Sequence, residues 1–329
     1  MPPWRIVLTK PHRRHVLWYV IGKSEPRAFY KATLHLVWSA QATLYLTAAL
    51  FLAGLFLPKQ HQHFMVAGLL AFYHAVMYVQ LPGFINAVPH RAATWALLAF
   101  FLLGVAASPG VGYLAYLPYS LLHAALYVKG LWGKPTYYPN LVTAAGLLLL
   151  PLSAAPLEAV LSFPLASVYS LMYRIDFSRA KKRFSATTAA AVAAAYVAAF
   201  LAVKVGHLWA VAVPSLVLTV FAAPRLNDLY GASAFFFRWA VALAPLGSHL
   251  VYMAFAVIMS ALCVPYFIPA IFYREVPRYR GELVAVAATA YVLKNAGFAA
   301  LAAALVAGQV LYVAWRSFRE RYYPPPPPP

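Results

Sequence analysis

Charge is what this sequence has least of. Only 10% of its 329 residues are Asp, Glu, Lys or Arg, against about 25% in a soluble domain. So few charges cannot cover a water-facing surface, which excludes a soluble globular enzyme. With 64% apolar residues, intrinsic disorder is excluded as well. Acidic residues are scarcer still, 7 against 26 basic ones. There is a single cysteine, Cys263, inside an apolar run. That excludes an internal disulfide, a Cys-rich zinc site, a Cys-ligated iron–sulfur cluster and covalent c-type haem. Neither a G-x-G-x-x-G nor a Walker lysine pattern occurs, so no nucleotide-cradling loop is visible.

What remains is an all-α polytopic transmembrane helical bundle. Apolar runs bounded by Pro, Gly or basic clusters predict spans over 33–57, 63–82, 92–107, 111–129, 140–154, 156–173, 185–203, 207–223, 229–246 and 249–273. The run 283–316 exceeds the roughly 20 residues of one span. Lys294, Asn295 and Gly297 interrupt it, so it reads as a hairpin of two short helices, with one long tilted helix as the competing reading. The expectation is about twelve spans, or eleven if that run is continuous. Residues 1–32 form a basic arm without a secretory signal pattern, 33–316 the bundle, and 317–329 a basic tail ending in six prolines. That tail reads as a polyproline II rod, a spacer by default.

The charge distribution sets an orientation. If the N-terminus is cytoplasmic and sides alternate through the first ten spans, the inner segments hold 19 Lys and Arg, while the outer connections hold only Lys59 and Lys204. The positive-inside rule produces this asymmetry. It accounts for the formal charge of +19 without nucleic acid and places the chain in the plasma membrane as a multi-pass protein. The partner it requires is the lipid bilayer.

Ionisable residues inside a membrane are costly and point to function. Carboxylates are nearly absent from the spans, and histidine takes their place. His63, His207 and His249 open spans that enter from the outer side, with His61 just before the first. His74 follows His63 by eleven residues, which returns to nearly the same helix face about 16 Å deeper. His123 is expected at a similar depth, twelve residues into another inward-running span. Neutral imidazole is the usual axial ligand of haem iron and a common copper ligand. His74 and His123 are therefore the candidate pair for a deep haem. His63, His249, His207 and His61 are the candidate ligands of an outer metal site. The alternative for each is a hydrogen-bonded packing histidine.

Two of these spans look alike. Those led by His63 and by His249 each reach a proline 19 or 20 residues on, with Arg91 or Arg274 following. Together with Glu25-Pro-Arg-Ala-Phe-Tyr30, Pro277-Arg-Tyr-Arg-Gly281, Ala290-Tyr-Val-Leu-Lys294, Val313-Ala-Trp315 and Arg321-Tyr-Tyr-Pro324, they give a sequence that resembles the NnrS-type haem–copper membrane proteins. The resemblance covers about a third of the chain. It implies a twelve-span fold, haem and/or copper as cofactors, His63 and His249 as metal ligands, and a role in nitric oxide or respiratory gas metabolism.

Two other classes compete. One is a non-catalytic hydrophobic subunit that anchors a respiratory electron-transfer complex. The other is a secondary transporter, which predicts broken helices in the membrane. Pro118, Pro164, Pro214 and Pro245 permit such breaks, but coupling carboxylates are scarce.

Overall fold

A computed structural model describes residues 26–321 apart from 86, 133–135, 180–184, 223–231, 233–234, 236–237, 248, 254–262, 273 and 280. Most of the N-terminal arm, the polyproline tail and much of the expected span 229–246 lie outside the described residues. So does the middle of the His249 span, including 254–262.

The described chain is all-helical. Its elements are α1 (Pro26–Phe56), α2 (His61–Val79), α3 (Leu81–Ile85), α4 (Arg91–Val111), α5 (Leu117–Lys129), α6 (Asn140–Leu149), α7 (Pro156–Leu161), α8 (Phe163–Arg179), α9 (Ala186–Lys204), α10 (Ala212–Ala222), α11 (Val264–Ile271), α12 (Glu282–Asn295) and α13 (Ala299–Arg319). Short 3-10 turns join several of them. Five described segments are long and apolar enough to cross a membrane: Thr33–Phe56, Pro58–Val79, Arg91–Trp132, Ala186–Lys204 and Ala299–Arg319.

Local chemistry sets the element ends. The His90 ring accepts a hydrogen bond from the Ala92 amide and caps α4. Ser185 Oγ does the same for α9 through Thr188. Both satisfy amides that a helix start leaves without partners. Gly112, at φ 66°, ends α4 in a conformation that side chains resist. The chain then doubles back: Phe101 packs against Tyr116 and Tyr119, with ring centroids 5.8 and 5.2 Å apart. The apolar stretch Arg91–Trp132 is thus two arms folded on each other, as the separate runs 92–107 and 111–129 predict. Gly297, at φ 90°, turns the chain between α12 and α13, so 283–316 is the hairpin and not one long helix. The run 156–173 departs from expectation. It is broken at Ser162, whose ψ is −117°, because Pro164 has no amide proton for the Val160 carbonyl and its ring crowds that carbonyl, and α8 starts afresh at Phe163.

The core is built around α2, buried without interruption over residues 66–79. A helix that is apolar and buried on all sides belongs at the centre of a bundle. Around it, α4, α9 and α13 turn large apolar side chains outward, among them Leu103, Leu201 and Leu311, a surface suited to lipid. Several of the described connections meet at two rims. At one, the His35 ring lies 2.9 Å from the Pro89 carbonyl. There Asn140 Nδ2 also donates to the carbonyls of Phe84 (2.8 Å) and Tyr127 (2.9 Å). At the other, Lys204 Nζ donates to the Leu152 carbonyl (2.6 Å) and pairs with Glu158 at 3.1 Å. In these contacts, connections that the charge pattern assigns to a common side lie together.

Candidate functional site

The polar centre of the bundle is built from α2 and α5. His74 on α2 and His123 on α5 are both fully buried, with ring centroids 5.7 Å apart and planes at 69°. Tyr119 joins them. Its hydroxyl is 3.2 Å from His74 Nδ1 and 3.0 Å from His123 Nδ1. Tyr119 and His123 are four residues apart, which puts them on one helix face. Aromatic rings close the surroundings. His74 stacks on Tyr78 and Phe101, each at 5.3 Å. His123 packs on Tyr127 at 5.2 Å and on Phe163, the first residue of α8, at 5.5 Å. The neighbouring hydroxyls are engaged elsewhere: Tyr78 donates to Thr94 Oγ1 (2.9 Å) and Tyr127 to the Met77 carbonyl (3.2 Å).

This leaves the outward ring nitrogens. His74 Nε2 and His123 Nε2 are both buried without a hydrogen-bond partner, as is the hydroxyl of Ser120, one turn before His123. A phenol carries one proton. When Tyr119 donates to one Nδ1 and accepts from the other, the two neutral imidazoles take opposite tautomers, so one Nε2 is a bare lone pair and the other an N–H. When both rings hold their proton on Nδ1 and donate to the phenolic oxygen, both Nε2 lone pairs are bare. Tyr119 therefore governs which nitrogens can act as ligands. Sequence reasoning passed over it, although its spacing from His123 was a readable signal.

The outer histidines are placed differently. The His61 ring is 2.9 Å from the Gly54 carbonyl. His63 is half-buried with its ring against Phe64 at 5.3 Å. His207 and His249 are exposed, beside Trp209 (6.2 Å) and Tyr252 (6.3 Å) respectively. Among the described residues no three His, Cys, Asp or Glu side chains come together as a metal cluster. The structure thus brings His74 and His123 into one centre and does not gather His61, His63, His207 and His249 into another.

The pair does not fit a haem. A porphyrin lies between its two axial imidazoles, whereas here the rings meet edge to face, share a tyrosine hydroxyl and are walled by Tyr78, Phe101, Tyr127 and Phe163. A bare ion is a different case, because it needs no macrocycle's space and imidazole nitrogen is a donor that such an ion takes. No family model, curated protein or solved structure matches this chain.

Proposed function

We propose that this chain is a polytopic membrane protein of about twelve spans, with its N-terminus cytoplasmic, that binds a copper ion through His74 and His123 at the centre of the bundle. The observation that carries this reading is the pair of buried Nε2 atoms without partners, set in an aromatic shell that holds no carboxylate among the described residues. Imidazole suits copper, and a site with two neutral donors and no anionic ligand favours the cuprous ion, which has a low charge and accepts few ligands. Bound copper would supply a redox centre and a coordination position for a diatomic gas, in line with the resemblance to NnrS-type proteins and a role in nitric oxide or respiratory gas metabolism. The chain's own part is to desolvate the donors, fix their tautomers through Tyr119 and exclude water with the surrounding rings. The four outer histidines carry no part of this reading.

The test is metal content. Protein purified in mild detergent and loaded anaerobically with cuprous ion should retain about one copper per chain. His123→Gln, checked for native helicity and monodispersity, should retain none. A wild-type chain that leaves desalting free of metal, or a variant that retains copper equally well, overturns the proposal.

A second reading has its own observation. Ser162 interrupts the α7–α8 segment about one and a half turns from Pro156, and Phe163, the first residue after the break, packs on His123. Tyr196 donates to the carbonyls at the break, Leu161 and Ser162, at 2.7 Å, and the Ser162 carbonyl also accepts from the Ala166 amide at 3.0 Å. Discontinuous helices beside a central site are the architecture of secondary transporters. Cuprous uptake into liposomes carrying the protein, lost in His123→Gln, would favour a carrier over a resident copper site.

A further inference from the structure

At the rim where the connection after α11 meets the end of α13, basic and aromatic residues are concentrated. The stretches 274–279 and 312–321 hold five arginines against Glu275 and Glu320. The connection is fastened to the helix end by backbone contacts: the Glu275 amide donates to the Arg321 carbonyl at 3.1 Å, and Arg274 Nη1 to the Glu320 carbonyl at 3.0 Å. Arg316 is held in place by Tyr312, whose hydroxyl accepts from Nη1 at 3.1 Å, and by the Arg278 carbonyl, which accepts from Nη2 at 3.3 Å. Its guanidinium lies 5.7 Å from the Tyr279 ring centroid and 5.8 Å from that of Tyr312. Burial pushes the Tyr279 phenol up to about 12, so this ring stays neutral beside the cation. Arg319 lies 4.0 Å over the Trp315 ring. Arg278, Arg319 and Arg321 are exposed.

Beside these cations runs an apolar stripe. Leu311, Trp315 and Phe318, at spacings of four and three, are 69%, 49% and 50% exposed on a helix that is long and apolar enough to cross the membrane. Tyr and Trp mark the headgroup level of a bilayer. Arginine forks match phosphate oxygens in a way that a point charge cannot. A basic cluster beside an exposed apolar stripe is complementary to a molecule with an anionic head and hydrocarbon tails.

We infer that this rim binds an anionic phospholipid, its phosphate held by Arg278, Arg316 and Arg319 and its acyl chains lying along Leu311, Trp315 and Phe318. The continuity of charge and stripe separates this ligand from free phosphate, which would leave the apolar face unused, and from an acidic soluble peptide, which would not enter the bilayer beside α13. The site is independent of the copper proposal.

Native mass spectrometry of the full chain, delipidated in a neutral detergent, tests it with phosphatidylglycerol, phosphatidylcholine and inorganic phosphate as probes. The wild type should retain one phosphatidylglycerol in preference to phosphatidylcholine, and inorganic phosphate should not displace it. Retention should weaken as salt rises. At about fivefold per arginine near a charged membrane surface, the variant Arg278→Gln/Arg316→Gln/Arg319→Gln should lose roughly 100-fold in affinity while keeping native helicity. Equal retention of the two lipids, displacement by inorganic phosphate, or a triple variant that binds as tightly as the wild type would each overturn the inference.

Discussion

Replacing Tyr119 by Phe removes one oxygen from the centre of the bundle and leaves two buried imidazole nitrogens without the group they share. Each buried polar atom stranded in this way costs about 1–3 kcal/mol, so two set an upper bound of about 6 kcal/mol. Two considerations reduce it. Hydrogen bonds between membrane helices average about 0.6 kcal/mol in double-mutant cycles, because the unfolded chain in the membrane also finds partners. The His74 contact, at 3.2 Å, is also longer than the His123 contact, at 3.0 Å. A loss of about 2 kcal/mol is expected, since the lost oxygen leaves too little room for a water to take its place. The sharper measurement is the coupling. In the Tyr119→Phe background, His123→Leu should cost about 1 kcal/mol less than in the wild-type chain, because its partner has already gone. Unfolding free energies from steric trapping in bicelles give both numbers. A Tyr119→Phe cost below about 0.5 kcal/mol, or additivity of the two substitutions within that margin, would refute the shared-hydroxyl account of the site.

Other positions respond with different magnitudes in the same assay. Asn140→Ala should cost about 4 kcal/mol, since it deletes two donations to carbonyls and the acceptor 2.6 Å from Arg174 Nη2, the last of these a charged bond worth about twice a neutral one. Gly130→Ala should destabilise by about 2 kcal/mol or more and lower expression, because its new Cβ would collide with the Phe84 carbonyl and Asn140 Nδ2 and press on Ile85 Cα at 3.1 Å. Lys204→Ala should change stability by less than about 1 kcal/mol, for the Lys204–Glu158 pair is partly exposed and such pairs contribute little.

Level along the helices was legible in the sequence for His74 and His123, and azimuth around each helix was not. Counting residues from the span ends put His74 and His123 at a common level, and in the structure their rings touch. The same reasoning put His63, His207 and His249 at a common level, and there it reached its limit. A shared level says nothing about which way a ring faces at the end of a bundle. His63 shows the difference. It lies on nearly the same face of α2 as His74, yet it is half-buried where His74 is wholly enclosed, because the bundle surrounds α2 only from residue 66 onward. Glycine was a dependable marker, since Gly112 and Gly297 turn the chain where the apolar runs divide. Ser162 was less legible. Pro164 signalled a break, but proline is also common within intact membrane helices, and nothing in the sequence points to Tyr196 as the donor to the Leu161 carbonyl beside the break.

The histidine pair and the rim below it form one mechanical unit, and Tyr127 is the hinge between them. Its hydroxyl donates to the Met77 carbonyl on α2, three residues after His74. Its own carbonyl accepts from Asn140 Nδ2. Because helical side chains lean toward the N-terminus, a tyrosine one turn beyond His123 reaches back to α2 close to the level of His74. That bond and the Tyr119 bond to His74 fix α5 against α2 at two points, so neither helix can slide without breaking one of them. Asn140 carries the restraint onward to Arg174, whose guanidinium lies 3.4 Å over the Phe84 ring and 4.8 Å from that of Tyr137. The Asn140 amide and these two aromatic faces are thus among the groups that hold the Arg174 guanidinium at this rim. The separation of the two imidazoles is therefore set partly from the rim, so a substitution at Asn140 should alter the donor geometry of His74 and His123 without touching either ring.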